Sequence, residues 1–313
     1  MIKNLILGAM LFGTAQDERR SFELLDHFVD AGGVWIDTAN CYAFWADPAG
    51  FGGHSETVLG RWMARRPGVR DRVRISTKVG CEPTVAGRFP ETAEGLSAGA
   101  VKSAFEAGLR RLGTDRVDLY WAHMPDPSTP LEETVTAFDE LVSAGAVDRL
   151  GCSNYPVWQV ARARRIARDR GAAGFTAVQQ QYSYLQPRPG TRPTVSHRFG
   201  MVTDEVLHYV EHQPDLELWA YTPLLSGGYT RTDKPLPAEY DHAGTTRRLA
   251  ALDEIAAETG TNRNRVVLAW LTGGSPAVMP IVGVSTVEQL DEALAGVSLE
   301  LTPEQRGRLD STV

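Results

Sequence analysis

Asp37 and Tyr42 fall in the run Val34-Trp35-Ile36-Asp37-Thr38-Ala39-Asn40-Cys41-Tyr42. Two other runs, Ile75-Ser76-Thr77-Lys78 and Leu119-Tyr120-Trp121-Ala122-His123, have the same form. Each is a short apolar stretch of strand length ending on a residue that moves a proton or holds a charge. Together they supply an acid, a phenol, an ammonium and an imidazole. A free phenol ionises at about 10 and is a poor acid at neutral pH. A neighbouring ammonium stabilises the phenolate and lowers that value, and a carboxylate beside the ammonium keeps it charged and in place. An imidazole can hydrogen-bond a carbonyl oxygen. A tyrosine tuned in this way can protonate that oxygen as hydride arrives at carbon, a service worth roughly 10²–10⁴ in rate. Singly, each residue has a plainer reading: Asp37 a turn, Tyr42 a lining group, Lys78 a solvated strand end, His123 a core histidine. Three consecutive strand ends favour the joint reading.

The elements that must bring these residues together alternate along the chain. Strand-like segments are expected at 5–7, 34–37, 74–78, 117–123, 150–152, 177–181, 216–221 and 279–282, each followed by a helix-length segment. The first helix carries Phe22, Leu25, Phe28 and Val29 on one face, and Gly113 stops a helix over 101–112. Capping signals stand at Thr129-Pro130-Leu131-Glu132, Ser285-Thr286-Val287-Glu288 and Thr302-Pro303-Glu304-Gln305. Alternation implies a parallel sheet, and eight repeats favour a closed (β/α)8 TIM barrel of the α/β class, one domain over residues 1–313. An open doubly wound sheet usually shows G-x-G-x-x-G after its first strand, and the chain has no such run. Two long segments, 185–201 and 224–245, follow strands and so belong to the pocket end of a barrel.

Composition narrows the class further. A formal charge of −7, from 39 acids and 32 bases, with no basic stripe, argues against nucleic acid. Three cysteines, Cys41, Cys81 and Cys152, make no complete disulfide framework, so a reducing cytoplasm is expected. The N-terminal apolar stretch runs at once into Asp17-Glu18-Arg19-Arg20 without a cleavage site, and nothing approaches the ~20 apolar residues of a membrane span. The expected partner is a small molecule, with no membrane and no nucleic acid.

The runs 36–42, Gly53-His54-Ser55-Glu56 with Gly60, Ser76-Thr77-Lys78, 118–123, Gly151-Cys152-Ser153-Asn154, Gln179-Gln180-Gln181-Tyr182, 220–224 and Pro280-Ile281-Val282-Gly283 occur in this order. By them the chain resembles the aldo-keto reductase superfamily over nearly its whole length. The resemblance implies a (β/α)8 barrel and nicotinamide-dependent reduction of aldehydes and ketones. It implies Tyr42 as proton donor, Asp37 and Lys78 as its tuning pair, and His123 as the carbonyl-orienting group. Ser153, Asn154 and Gln179 match residues that bond the nicotinamide carboxamide, and Tyr221 the aromatic stacked on its ring. A plainer reading of Ser153 and Asn154 is that they cap the next helix. Leu224, Ser226 and Gly227 match the pyrophosphate loop. Gly283, Ser285, Gln289 and Glu292 match the adenosine end.

Three departures from the family pattern stand out. No Lys or Arg occurs from Val266 to Gln305, where the family often pairs a 2′-phosphate, and Ala293 replaces the usual asparagine. NADP is the first expectation and NAD its competitor, with weak discrimination between them. Residues 1–4 leave no room for the family's N-terminal bottom-cap hairpin. The segment 187–201, with Arg188, Arg192, His197 and Arg198, reads equally as a solvated loop or a basic lid over an oxygen-rich substrate. Phe12, Phe44, Trp45, Met124, Tyr155 and Trp158 are candidates for the pocket wall, some of them for the core instead. Two other readings compete. One is a nicotinamide-binding regulatory barrel without turnover. The other is a zinc hydrolase using His208-x-x-Glu211-His212, whose plainer reading is a polar outer helix face. A metal held by Cys41, Cys81, Cys152 and His123 would consume the histidine that reduction needs.

Overall fold

A computed structural model describes residues 2–191 and 197–312. Its sheet is a closed barrel in which β1 to β8 follow one another in chain order. The chain falls into two compact units, one of residues 6–179 and one of residues 2–5 with 180 onward.

The first unit carries the end of β1 (Ile2–Gly8), then α1 (Glu18–Asp30), β2 (Gly33–Asp37), α2 (His54–Arg65), β3 (Arg74–Val79) and α3 (Ala98–Leu112). It continues with β4 (Val117–Ala122), α4 (Leu131–Ser143), β5 (Val147–Ser153), α5 (Val157–Arg170) and most of β6 (Phe175–Gln181). Strands β2 to β6 pair in parallel, with Asp37 opposite Ser76 and Lys78 opposite Trp121. Asp17 caps α1 by accepting from the Arg20 N–H, and the buried face is Leu24, Leu25, Phe28 and Val29, so Leu24 takes the place expected for Phe22. Gly113 ends α3 in the left-handed region at φ 63°, as the sequence implies. The α4 cap differs from expectation. Pro130 occupies the cap position, and the Thr129 hydroxyl turns away to Asp126 Oδ2 at 2.7 Å.

Close packing requires glycine at several places in this unit, Gly60 and Gly151 among them. A Cβ on Gly60 of α2 would lie 2.1 Å from the Arg111 carbonyl oxygen, so the α2–α3 packing depends on its absence. A Cβ on Gly151 of β5 would lie 2.3 Å from the Trp121 ring. The buried Glu56 carboxylate joins the same region, accepting from Thr77 Oγ1 at 2.5 Å and Arg111 Nε at 2.7 Å.

The second unit holds α6 (Asp204–Glu211), β7 (Glu217–Tyr221), α7 (Ala243–Glu258), α8 (Arg263–Thr272), β8 (Val278–Val282), α9 (Val287–Val297) and α10 (Pro303–Ser311). Two helices separate β7 from β8, where the sequence pattern implied one. Thr302 and Gln305 form the expected reciprocal cap of α10. The α9 cap is shifted by one residue. Thr286, not Ser285, accepts from the Gln289 N–H, and the Gln289 side chain accepts from the Ser285 N–H. Asn4 reaches the Val297 carbonyl at 3.2 Å. The two long segments are stitched together. The Arg188 guanidinium donates to the Asp241 carbonyl at 2.6 Å, and the Tyr229 hydroxyl accepts from the Leu185 N–H at 2.9 Å. Arg188 is thereby turned to backbone rather than held out as a lid cation. Arg192 lies outside the described residues.

Candidate active site

Strand geometry assembles the first cluster. Side chains two apart on a strand share a face, so Ser76 and Lys78 of β3 both face Asp37 of β2. Lys78 has no exposed surface, and Asp37 is 1% exposed. Lys78 Nζ donates to Asp37 Oδ2 at 2.5 Å, to the Thr38 carbonyl at 2.7 Å and to the Tyr42 hydroxyl at 2.7 Å. An ammonium has three N–H donors, and all three are matched. Ser76 Oγ donates to Asp37 Oδ1 at 2.6 Å, and Gln179 Nε2 reaches the same oxygen at 3.4 Å. The Tyr42 hydroxyl lies 3.5 Å from Asp37 Oδ2, a long contact.

Burial moves the lysine and the tyrosine toward their neutral forms. Desolvation pulls the Lys78 ammonium below its usual value, against the Asp37 charge that holds it up. The Tyr42 phenol is pushed well above its ordinary range, by burial first and the Asp37 carboxylate next. The sequence implied the opposite direction for the phenol. Burial, which the sequence pattern does not measure, and the charge of the nearby carboxylate together outweigh the influence of the lysine. The phenol therefore keeps its proton at neutral pH.

His123 follows β4, its N–H bonded to the Val79 carbonyl at 2.9 Å. Its ring meets that of Tyr42 edge to face, with centroids 5.9 Å apart, and its Nδ1 lies 3.5 Å from Cys41 Sγ. Asn154, in the left-handed region at φ 62°, donates from its amide to the His123 carbonyl at 2.9 Å and to Ser153 Oγ at 3.1 Å. These bonds replace the capping role: α5 is capped at Pro156, without a side-chain bond. Ser153, Asn154 and Gln179 are all buried. They form an amide and hydroxyl set whose donors and acceptors suit a carboxamide. Ser76 and the Thr38 carbonyl were not singled out in the sequence. The two-residue spacing of Ser76 from Lys78 was the available signal.

The loop after β2 carries the aromatic candidates Phe44 and Trp45, and the loop after β3 carries Phe89. Phe44 packs against Trp45 and Phe89 with centroids 5.1 and 5.6 Å apart, and with Met124 it rests on a cluster of Ala39, Cys41 and Cys81. Trp45 is 54% exposed. The Gly87 N–H bonds the Gly50 carbonyl at 2.9 Å, and Glu82 Oε1 accepts from the Gly52 N–H at 2.8 Å, tying the two loops. Glu94 Oε1 accepts from Asn40 Nδ2 and from the Gly80 N–H, both at 2.7 Å. Burial pushes the Glu82 carboxyl up to about 7. Phe12 and Tyr155 are buried, and Trp158 stands exposed on α5.

Within the second unit, Leu225, Ser226 and Gly227 take successive positive φ angles of 48°, 56° and 98°. Non-glycine residues in this region mark a constrained backbone, and successive N–H groups so turned suit an anion. Leu224 precedes this turn, and Tyr221, at the end of β7, reaches the Gly200 carbonyl at 3.4 Å. Glu292 on α9 accepts from Asn262 Nδ2 at 2.5 Å and Asn264 Nδ2 at 3.0 Å. Gly283 lies between β8 and Ser285, with open space where a side chain would begin. On α6, the His208 and His212 rings stack with centroids 4.3 Å apart, His212 Nδ1 contacts the His208 carbonyl, and Glu211 contacts Ser275. Among the described residues no group of three or more His, Cys, Asp or Glu side chains is placed to hold a metal ion. Among them, too, no helix is long and apolar enough to cross a membrane.

The Aldo/keto reductase family model matches residues 4–313. The chain is 31% identical to the uncharacterized oxidoreductase YrpG of Bacillus subtilis, over 97% of its own length and 90% of that protein's. It is 30% identical to the norsolorinic acid reductase stcV of Emericella nidulans (100% and 78% covered). With an aryl-alcohol dehydrogenase [NADP(+)] of Phanerodontia chrysosporium it shares 31% (98% and 81% covered). The crystal structure of the thermostable aldo-keto reductase Tm1743 with the inhibitor epalrestat superposes with a TM-score of 0.75 at 27% identity, covering 100% of this chain and 96% of that one. A closed eight-stranded barrel and a match spanning nearly every residue agree, and this chain belongs to the aldo/keto reductase family.

Proposed function

We propose that this protein reduces an aldehyde or ketone to an alcohol with NAD(P)H, with Tyr42 as the proton donor. The observation that carries the reading is the Lys78 ammonium, whose three protons go to Asp37, Thr38 and the Tyr42 oxygen. With its oxygen already accepting from Lys78, and Asp37 at the end of a long contact, the phenol has its own proton to give to a bound carbonyl. Charge developing on the phenol oxygen during that transfer is met by the Lys78 N–H already in place, which avoids reorganisation. His123 orients the carbonyl by hydrogen bonding, and Asp37 holds Lys78. When bound, the reduced nicotinamide supplies the hydride. In the first unit, Ser153, Asn154 and Gln179 would hold its carboxamide. In the second unit, the resemblance to the family gives Tyr221 to the ring, Leu224, Ser226 and Gly227 to the pyrophosphate, and Gly283, Ser285, Gln289 and Glu292 to the adenosine end.

Aromatic carbonyl compounds are the substrate class we favour. Phe44, Trp45, Phe89 and Met124 offer apolar, ring-rich surface beside Tyr42, and two relatives bear the names of an aryl-alcohol dehydrogenase and a norsolorinic acid reductase. Both NADPH and NADH serve, since no basic side chain occurs from 266 to 305. The test is a panel of aromatic and aliphatic aldehydes and ketones, followed at the nicotinamide absorbance with each cofactor. Turnover concentrated on aromatic members is expected. Tight dinucleotide binding without turnover on any member would overturn the enzyme reading in favour of a regulatory barrel.

A further inference from the structure

We infer that Cys41 is a positioning residue for His123: its thiol donates to Nδ1 and so fixes the proton of the ring on Nε2. The inference rests on the proposed role of His123 toward a carbonyl. Cys41 is 3% exposed, and its Sγ lies 3.5 Å from His123 Nδ1, within reach of a sulfur hydrogen bond. A neutral imidazole has one donor nitrogen and one acceptor nitrogen, and the partner of one decides the state of the other. A carbonyl oxygen needs a donor. The nitrogen facing Cys41 must then be the acceptor, and Cys41 must be the donor.

The surroundings keep that proton on sulfur. Cys41 packs in one buried cluster with Cys81, and that neighbouring thiol together with burial holds the Cys41 thiol well above its ordinary range. Cys41 is therefore a thiol and not a thiolate, so it has a proton to donate. The reverse chain, from Nδ1–H to Cys41 and on to Cys81, would leave Nε2 without a proton and His123 unable to bond a carbonyl oxygen. The chain position explains the contact. Cys41 immediately precedes Tyr42, and Ala39 and Cys41 pack together under the loop that carries the phenol. One short segment thus presents the proton donor and sets the state of the ring beside it.

Two-bond 1H–15N correlation spectra of histidine-labelled full-length protein read the tautomer directly, without any assay of reduction. The wild type is expected to show His123 protonated on Nε2. Cys41→Ser keeps a donor and should keep that tautomer. Cys41→Ala should give a mixture of tautomers, and Cys81→Ala should leave the tautomer unchanged. In carbonyl reduction, Cys41→Ala should lower kcat roughly three- to tenfold, the loss of one weak hydrogen bond, with dinucleotide affinity unmoved and serine restoring the rate. Wild-type His123 protonated on Nδ1 overturns the inference, even if the alanine variant does not fold. So does an alanine variant that retains the pure Nε2–H form, or a tautomer that flips in Cys81→Ala. If the tautomer behaves as expected while no carbonyl is reduced, the functional reading fails and the Cys41–His123 arrangement stands.

Discussion

Tyr42 and Lys78 divide the work of one proton transfer, and variants can separate their parts. Tyr42→Phe removes the transferable proton and leaves the ring. It should lower kcat by roughly 10²–10⁴ while dinucleotide affinity, measured by fluorescence titration, stays within about twofold. Lys78→Met acts differently, because it leaves the Asp37 carboxylate buried among Ser76 and Gln179 without its cation. Removing one member of a buried pair costs about 3–5 kcal/mol, so this variant should lose both turnover and thermal stability. Equal stability of the two variants in urea would contradict this account of the pair. The residue types were legible in the sequence because each ended an apolar run. The height of the phenol's ionisation was not, because it depends on burial and on how closely Asp37 and Tyr42 approach after folding.

Loops and helices show where local patterns suffice and where they do not. Gly113 and Thr302 behave as their neighbours in sequence imply, since a cap involves only the next few residues. The caps at Thr129 and Ser285 were misplaced by a position, because Asp126 competes for one hydroxyl and Gln289 completes the other turn. The bond between Asn40 and Glu94 spans 54 residues and has no local signature at all. That loop network has a pH consequence. The folded-state pKa of Glu82, about 7, lies above its unfolded value, so ionisation opposes folding. Its contribution is most favourable at pH values below the unfolded value and is lost as pH rises through about 7. Glu94, also raised by burial, adds in the same direction, and Arg111 opposes it. Glu82→Gln keeps an acceptor for the Gly52 N–H. It should raise the melting temperature at pH 8 and leave it nearly unchanged at pH 4, and calorimetry at the two pH values checks this. Gly60→Ala, whose methyl would meet the Arg111 carbonyl, should cost about 1–3 kcal/mol of stability through overpacking of α2 against α3.

For the chain as a whole, the eight strands were legible because parallel strands buried on both faces read as apolar runs. The second helix between β7 and β8 was not, because 224–245 lacks a clear apolar period and the break between α7 and α8 is only four residues long. Cofactor choice is also a property of the whole ligand. A 2′-phosphate brings negative charge to a chain that already carries −7, with no lysine or arginine from 266 to 305 to receive it. Expected, therefore, is a kcat/KM ratio for NADPH over NADH within about a hundredfold, a preference of no more than about 3 kcal/mol. Thermal shifts given by saturating amounts of the two dinucleotides should be correspondingly close. A ratio of several orders of magnitude would refute it.

The seclusion of Lys78 has one more consequence. An amine without exposed surface, its every N–H engaged, offers no lone pair to an acylating reagent. Lys102 and Lys234 lie on the outside and will take up such a label readily. Residue 78 should acquire it only when the barrel opens, so peptide mass spectrometry of its slow acylation becomes a clock for the unfolding of the reaction centre.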